Sequence, residues 1–419
     1  MRRYAMYMTC VSLLVGLAGC SDGGSGAEDS APNASSAAKP RGEAKGFDPP
    51  VKFGKAVKLP VDEHVKSWGF AQLGPRLYER TAAALNAYDT SSGRKLWSSP
   101  LGRKDWYTGT AGGVSDNQRI PPVFAQHNGR TDVLFAYADY TKGSGTEVDR
   151  TDVYLRAVDA DTGKVSWTTR LPEPAKSTVS DLEPAVVGAQ DGTAVVRVLT
   201  STDDSSEDSE SATTYAVDLN RRQVTWQKEH FAAGALDSGV VIGTQLGEEA
   251  RFQSLHGWHS DQTDLGLAGR TLTDGTPRWK LEGRSSVEIE PVGGGFFATG
   301  LLRDSRTGKT VPGGTDGTLL HCVYDQRSVV VCDSEEAVRG IDARTRKVLW
   351  TISADDNSRK KPNLGNAWHG AVYASTDTTS VILDARTGKD RRPFSGASPY
   401  MLNQYAAVNI DMVVYPTTG

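Results

Sequence analysis

One eleven-residue stretch, Ala157-Val-Asp-Ala-Asp-Thr-Gly-Lys-Val-Ser-Trp167, recurs in recognisable copies from residue 87 to residue 388. A chain made of copies of one short unit cannot bury an apolar face within a single copy, so successive units must stack on one another. Read physically, the stretch is two strands joined by a tight turn. Asp159 folds its carboxylate onto backbone N–H groups ahead of it, and Gly163 takes the left-handed conformation that closes such a loop. Trp167 then offers a large rigid surface for a neighbour, with one indole N–H that needs an acceptor.

Aligned on the aspartate, the copies fall at Asp89, Asp159, Asp218, Thr271, Asp304, Asp342 and Asp384. Four residues later stand Gly93, Gly163, Arg222, Gly275, Gly308, Arg346 and Gly388. Arg222 and Arg346 must either accept about 1 kcal/mol of left-handed strain or use another loop. Eight residues after the aspartate come Trp97, Trp167, Trp226, Trp279, Pro312, Trp350 and Arg392. Five of the nine tryptophans thus share one offset, which ordinary hairpins do not require.

The N-terminus carries Arg2 and Arg3, an apolar run through Leu13, Leu14 and Val15, then Leu17-Ala-Gly-Cys20. Residues 1–19 read as a signal peptide. Its end resembles the lipobox of bacterial lipoproteins, which implies that Cys20 becomes the N-terminus and carries a diacylglyceryl group with palmitate-type chains. Residues 20–46 are rich in Ser, Gly, Ala and Pro. They read as a disordered tether with a typical span of about 25 to 30 Å. The expected location is the extracytoplasmic face of the cell membrane, with the chain held by lipid and not threaded through the bilayer.

Cys10 leaves with the signal and Cys20 is modified, so Cys322 and Cys332 remain in an exported protein and are expected to pair. They flank a turn centred on Arg327, where an antiparallel hairpin sets residue 322 opposite residue 332.

Taken in order, the units place short strands of period two between turn signals, with no long helical pattern, so the fold class is all-β. Four strands per unit predicts a β-propeller over residues 47–419. The second unit shows a polar insertion from Asp139 to Asp152, and the third another from Ser201 to Ala212. The acidic second insertion invites calcium, but it has no ordered ligand spacing and reads as a solvated loop. His256 and His259 invite zinc but lack a third ligand of metal spacing, and they read as loop residues. The tail after Tyr400 supplies three strands, and the orphan segment near Lys55 to Leu59 can supply a fourth. Joining the chain ends in this way favours eight blades. Seven is the alternative, if the tail only completes the first blade.

The A-x-D-x-x-T-G-K-x-x-W hairpin, best seen at Ala87–Trp97, Ala157–Trp167 and Gly340–Trp350, resembles the repeat of PQQ-like (quinoprotein-type) β-propellers. The resemblance implies that Asp89, Asp159, Asp218, Asp342, Asp384, Gly163, Gly388 and the repeat tryptophans are structural, with the Trp docking one blade on the next. Quinone-dependent members carry adjacent cysteines and a calcium set. Here Cys322 and Cys332 are ten residues apart and no calcium set is matched. No cofactor, metal or catalytic residue is therefore assigned. Net charge is −4 with basic and acidic residues intermixed, which disfavours nucleic acid. The expectation is a monomeric binding or scaffolding module for a protein or small-molecule ligand. The alternative is an enzyme with a quinone cofactor or other site in the central channel.

Overall fold

The computed structural model describes residues 45–419 apart from 62–66, 82, 102–120, 128, 175–181, 201–210, 254–256, 313–318, 378 and 395–397. The signal peptide, Cys20, most of the tether, residues 201–210 of the acidic insertion and His256 lie outside the described residues, while Ser211 and Ala212 open a strand and are not loop. Residues 44–419 form one compact unit. No helix among the described residues is long and apolar enough to cross a membrane.

All regular structure described is β, in nine antiparallel sheets, six of four strands and three of three. Eight of them follow the chain as meanders at residues 67–100, 123–170, 182–229, 231–284, 290–304, 319–353, 363–394 and 401–416. The ninth is a small accessory sheet inserted in the fourth. Burial follows position within each meander. Inner strands such as Val329–Ser334 are buried at every residue, as apolar strands covered on both faces must be. The outer strand Gln223–Glu229 alternates exposed and partly buried residues, because only one of its faces meets protein.

Each sheet packs on the next. Leu85 of the first joins Val133 and Phe135 of the second, and Leu155 and Trp167 of the second join Val196 and Tyr215 of the third. The same continues through Val195 with Phe231, Ile242 with Phe297, Phe296 with Val330, Val331 with Val372 and Tyr373 with Leu402. Finally Val408 and Val414 of the last sheet pack on Leu77 and Tyr88 of the first. The sheets therefore close on themselves, and the fold is a β-propeller.

The chain ends complete that closure. Val57 N donates to Val414 O at 2.8 Å, Gly54 N to Pro416 O at 2.7 Å and Val51 N to Gly419 O at 2.7 Å. The outer partner predicted near residues 55–59 thus spans residues 51–57, held by isolated bridges at Phe53–Thr417 and Val57–Val414 and not by a continuous strand. The second unit also departs from expectation. Its insertion is strand at both ends, since Arg130–Thr141 and Arg150–Asp159 pair as far as Thr141 with Arg150, and only residues 142–149 between them lie outside the strands. Asp139, Tyr140, Thr151 and Asp152 are polar and still pair, because the ladder is made by backbone groups that each of them carries.

The repeat hairpin closes as its residues dictate. Asp159 Oδ1 accepts from the backbone N–H of Thr162 at 2.8 Å, and Gly163 N donates to Asp159 O at 2.9 Å. Asp342 does the same for Thr345 at 2.7 Å. Where Thr271 replaces the aspartate, Asp274 Oδ1 takes over and accepts from Thr276 N at 3.0 Å. Arg222 and Arg346 adopt the left-handed conformation, at φ of 58° and 63°.

Cys322 and Cys332 face each other across their hairpin and form a disulfide, with Cα atoms 4.1 Å apart.

Candidate functional site

The repeat residues form a ring of joints. Four of the five turn glycines lie under the Trp of the preceding unit: a Cβ on Gly163 would fall 2.5 Å from Trp97, on Gly275 2.8 Å from Trp226, on Gly308 2.6 Å from Trp279 and on Gly388 2.6 Å from Trp350, while Gly93 lies against Val57 and Lys58. The indole N–H then donates to the carbonyl just after the next unit's aspartate position, from Trp226 to Leu272 O at 2.8 Å, Trp279 to Ser305 O at 3.0 Å and Trp350 to Ala385 O at 2.7 Å. Trp97 breaks this pattern. The matching carbonyl, Ala160 O, already accepts from Arg76 Nη1 at 3.0 Å and Tyr78 Oη at 3.1 Å. Trp97 Nε1 is left without a partner among the described residues, and so is Trp167 Nε1, so the bond is made by three of the five repeat tryptophans. Asp89, Asp159, Asp218, Asp342 and Asp384 thus close turns, and none of them converges on a common centre.

The groups that do converge belong to the fourth unit. Between Val240–Gln245 and Leu265–Thr271 the chain makes an extra hairpin, Arg251–Gln253 with Gly257–His259. The connection to the fifth unit, Ser286–Val287, adds as its third strand. Two glycines allow this strand to come close. A Cβ on Gly257, at φ +72°, would sit 2.5 Å from Val287 O, and one on Gly234 would sit 2.8 Å from Ile289. Trp258 is buried, its ring 5.3 Å from that of Phe252.

Two cavities flank this accessory sheet, and Val287 and Glu288 line both. The smaller, about 160 Å³, is lined by Arg197, Thr244, Phe252 and Trp258 among others. Arg197 comes from the third sheet. Its Nη1 lies 3.5 Å from Ala233 O and its guanidinium 5.6 Å from the Phe252 ring centre. The buried Arg197 Nε and the Thr244 hydroxyl have no partner among the described residues. Burial lowers the Arg197 pKa, and Glu183 opposes that effect.

The larger cavity, about 350 Å³, is lined by His259, Arg284, Ser286, Glu288 and Thr299 with neighbours. Arg284 Nε is buried without a partner among the described residues. Beside it Arg303 donates from Nε to Thr299 Oγ1 at 2.8 Å and from Nη1 to Gly308 O at 3.0 Å. Burial lowers the Arg303 pKa, and the Arg284 charge lowers it further. The walls of both cavities therefore offer hydrogen-bond donors and positive charge, with the exposed carboxylate of Glu288 shared between them.

Sequence reasoning assigned none of these residues. Arg197 did leave a signal, as a lone charge inside the apolar run Ala194-Val-Val-Arg-Val-Leu199. Thr244 left none, since a threonine is ordinary in a strand. His259 lies at the exposed rim of the larger cavity. No cluster of three His, Cys, Asp or Glu placed to hold a metal occurs among the described residues.

No family model matches the sequence. No curated protein matches it either. Solved structures match at low similarity. BamB from Moraxella catarrhalis is 14% identical over 87% of this chain and 98% of its own, with a TM-score of 0.44. The C-terminal WD40 domain of Sif2 is 12% identical over 90% of this chain and 99% of its own, at 0.41. A europium-containing methanol dehydrogenase is 12% identical over 85% and 83%, at 0.40. Likeness at this level carries no argument about site or activity. The order of the sheets, their packing in sequence and the pairing of the two chain ends make this chain a β-propeller.

Proposed function

We propose that the mature chain is a propeller of eight blades, lipid-anchored through Cys20 on the extracytoplasmic face, that binds a partner or ligand where the fourth unit's accessory sheet lies. The observation that carries the binding reading is the pair of adjacent cavities lined by the unpartnered nitrogens of Arg197 and Arg284. The eight meanders and the packing of the last on the first support the blade count. The role proposed is binding and not catalysis, because the charged groups with buried nitrogens here are guanidinium groups, while Glu288 and His259 are exposed. Guanidinium groups donate hydrogen bonds but do not exchange protons near neutral pH.

The anchor is tested by replacing Cys20 with Ala and fractionating cells. Release of the chain from membranes is expected, and retention would count against it. The binding face is tested by crosslinking the membrane-held protein and by screening small molecules for a melting shift. A saturable partner or ligand lost in Arg284→Glu supports the reading. Capture and melting shifts untouched by that change would overturn it. A change in absorbance on adding PQQ and calcium would instead favour a quinoprotein enzyme.

A further inference from the structure

We propose that the smaller cavity takes a small organic carboxylate with a flat apolar body, its oxygens accepting from Arg197 and Thr244 and its body lying against Phe252 and Trp258. The proposal rests on the reading of this face as a binding surface. Thr244 is only 1% exposed, and its hydroxyl has no partner among the described residues. A buried donor left in that state keeps its full desolvation penalty, which is larger still if it is charged. Two residues that carry such donors line one small space, and an acceptor with two oxygens entering it would answer both once the side chains turn toward it. A carboxylate has that form, and guanidinium groups match it in both charge and geometry.

The remaining walls select against a purely inorganic anion. Ala232, Phe252, Trp258 and Ile289 line the same space and give it an apolar wall beside its polar one. Desolvating a phosphate against them has no compensation, whereas an apolar body gains from their burial. Size points the same way. The cavity measures about 160 Å³, close to the roughly 150 Å³ that accommodates benzene in a protein core. Glu288 is the only carboxylate in the lining, and it is exposed. Charge therefore does not bar an anion from the inner end.

The test uses the full-length protein with benzoate, benzamide and inorganic phosphate as probes, read by calorimetry and melting temperature. Benzoate is expected to bind saturably. Benzamide and phosphate should bind at least about ten-fold more weakly, as expected for loss of a hydrogen bond to a charged group. Thr244→Val keeps the shape of the side chain and should weaken benzoate by about ten-fold, and Arg197→Met should abolish binding. Melting temperatures without probe separate lost binding from misfolding. Benzoate binding unchanged in Thr244→Val, phosphate binding as tightly as benzoate, or no binding of any probe would overturn the proposal, the last meaning that the cavity holds water alone. If benzoate fails while Arg284→Glu still loses a captured partner, only the carboxylate assignment falls. If both fail, the binding face falls with it.

Discussion

Trp97 lies directly on the backbone of Gly163, so that a Cβ built on that glycine would stand 2.5 Å from the indole ring. Turn and dock are one device: the residue that closes a hairpin by taking φ of +71° is also the seat for the preceding unit's tryptophan. Gly163→Ala therefore meets two penalties, about 1 to 2 kcal/mol for left-handed alanine and about 1 to 3 kcal/mol for overpacking. Gly74, at φ +54° with open space around its Cα, meets only the first. Denaturant unfolding should show Gly163→Ala to be the more damaging by at least about 1 kcal/mol. Equal losses would mean that the Trp is not seated there.

Where the preceding unit lacks its tryptophan, an arginine takes up the contact. Arg346 stacks 3.9 Å from the Phe296 ring centre and pairs with Asp304 Oδ2 at 2.8 Å. Burial alone would raise the Asp304 pKa, but the hydrogen bond from Arg346 and those within the turn outweigh it and hold it below its ordinary value. A depressed carboxylate contributes stability that is present above its unfolded pKa of about 3.9 and is lost as pH falls through the folded value. Arg346→Gln should weaken the protein at pH 7 and narrow the difference in stability between pH 7 and pH 3. An acid profile parallel to that of the parent would contradict this.

Much of this fold was legible from residue types alone, because Asp, Gly and Trp each have a narrow physical use at their offsets. The disulfide was readable for the same reason, since a turn centre determines which residues face each other. The second unit's long hairpin was not, because Asp139, Tyr140 and Thr151 are polar in strand and loop alike. The cavities were not legible either. Arg197, Thr244 and Arg284 come from different sheets or strands and meet only after packing, and no spacing within the sequence records that meeting.

His321 of the sixth unit reaches Glu290 of the fifth at 3.4 Å. The hydrogen bond that His321 Nδ1 donates to the Glu290 carboxylate raises the His321 pKa despite the opposing effect of burial. A raised histidine contributes stability that is complete below its unfolded pKa of about 6.5 and is lost as pH rises through the folded value. The parent should therefore lose stability between about pH 6.5 and pH 8.5 relative to Glu290→Gln. The measurement is urea midpoints at both pH values. A larger loss in the variant would refute the pairing.

The Cys322–Cys332 bridge closes a loop with a sequence separation of 10. Loop entropy for that length corresponds to about 2.5 to 3 kcal/mol. Replacing both cysteines with alanine should cost about that much, with some further loss because both are buried against Val330 and Ile341. The double variant should respond to dithiothreitol no differently from an untreated sample, while the parent should lose the loop-closure part on reduction and stay somewhat above the variant, because its thiols still fill the space between Val330 and Ile341. A parent indifferent to reductant would show that the bridge adds nothing to the hairpin.

Ring closure is the last relationship open to direct test. Removing residues 414–419 takes away every acceptor and donor that holds residues 51–57 to the last sheet. It also uncovers Leu77 and Tyr88 of the first sheet, which pack on Val414. At about 1.5 to 3 kcal/mol for each large side chain exposed, the loss should reach about 3 to 6 kcal/mol. Hydrogen exchange should quicken first in the strands Arg76–Thr81 and Ala371–Ser375, which flank the opened joint, and only later in the third and fourth units. Tyr373→Phe is the milder version. It removes one buried bond, from the phenol to Pro50 O at 2.6 Å, and should cost about 1 to 2 kcal/mol with the ring still closed. If truncation slows or speeds exchange evenly over all units, the two ends are not a joint, and the ring holds by its other contacts alone.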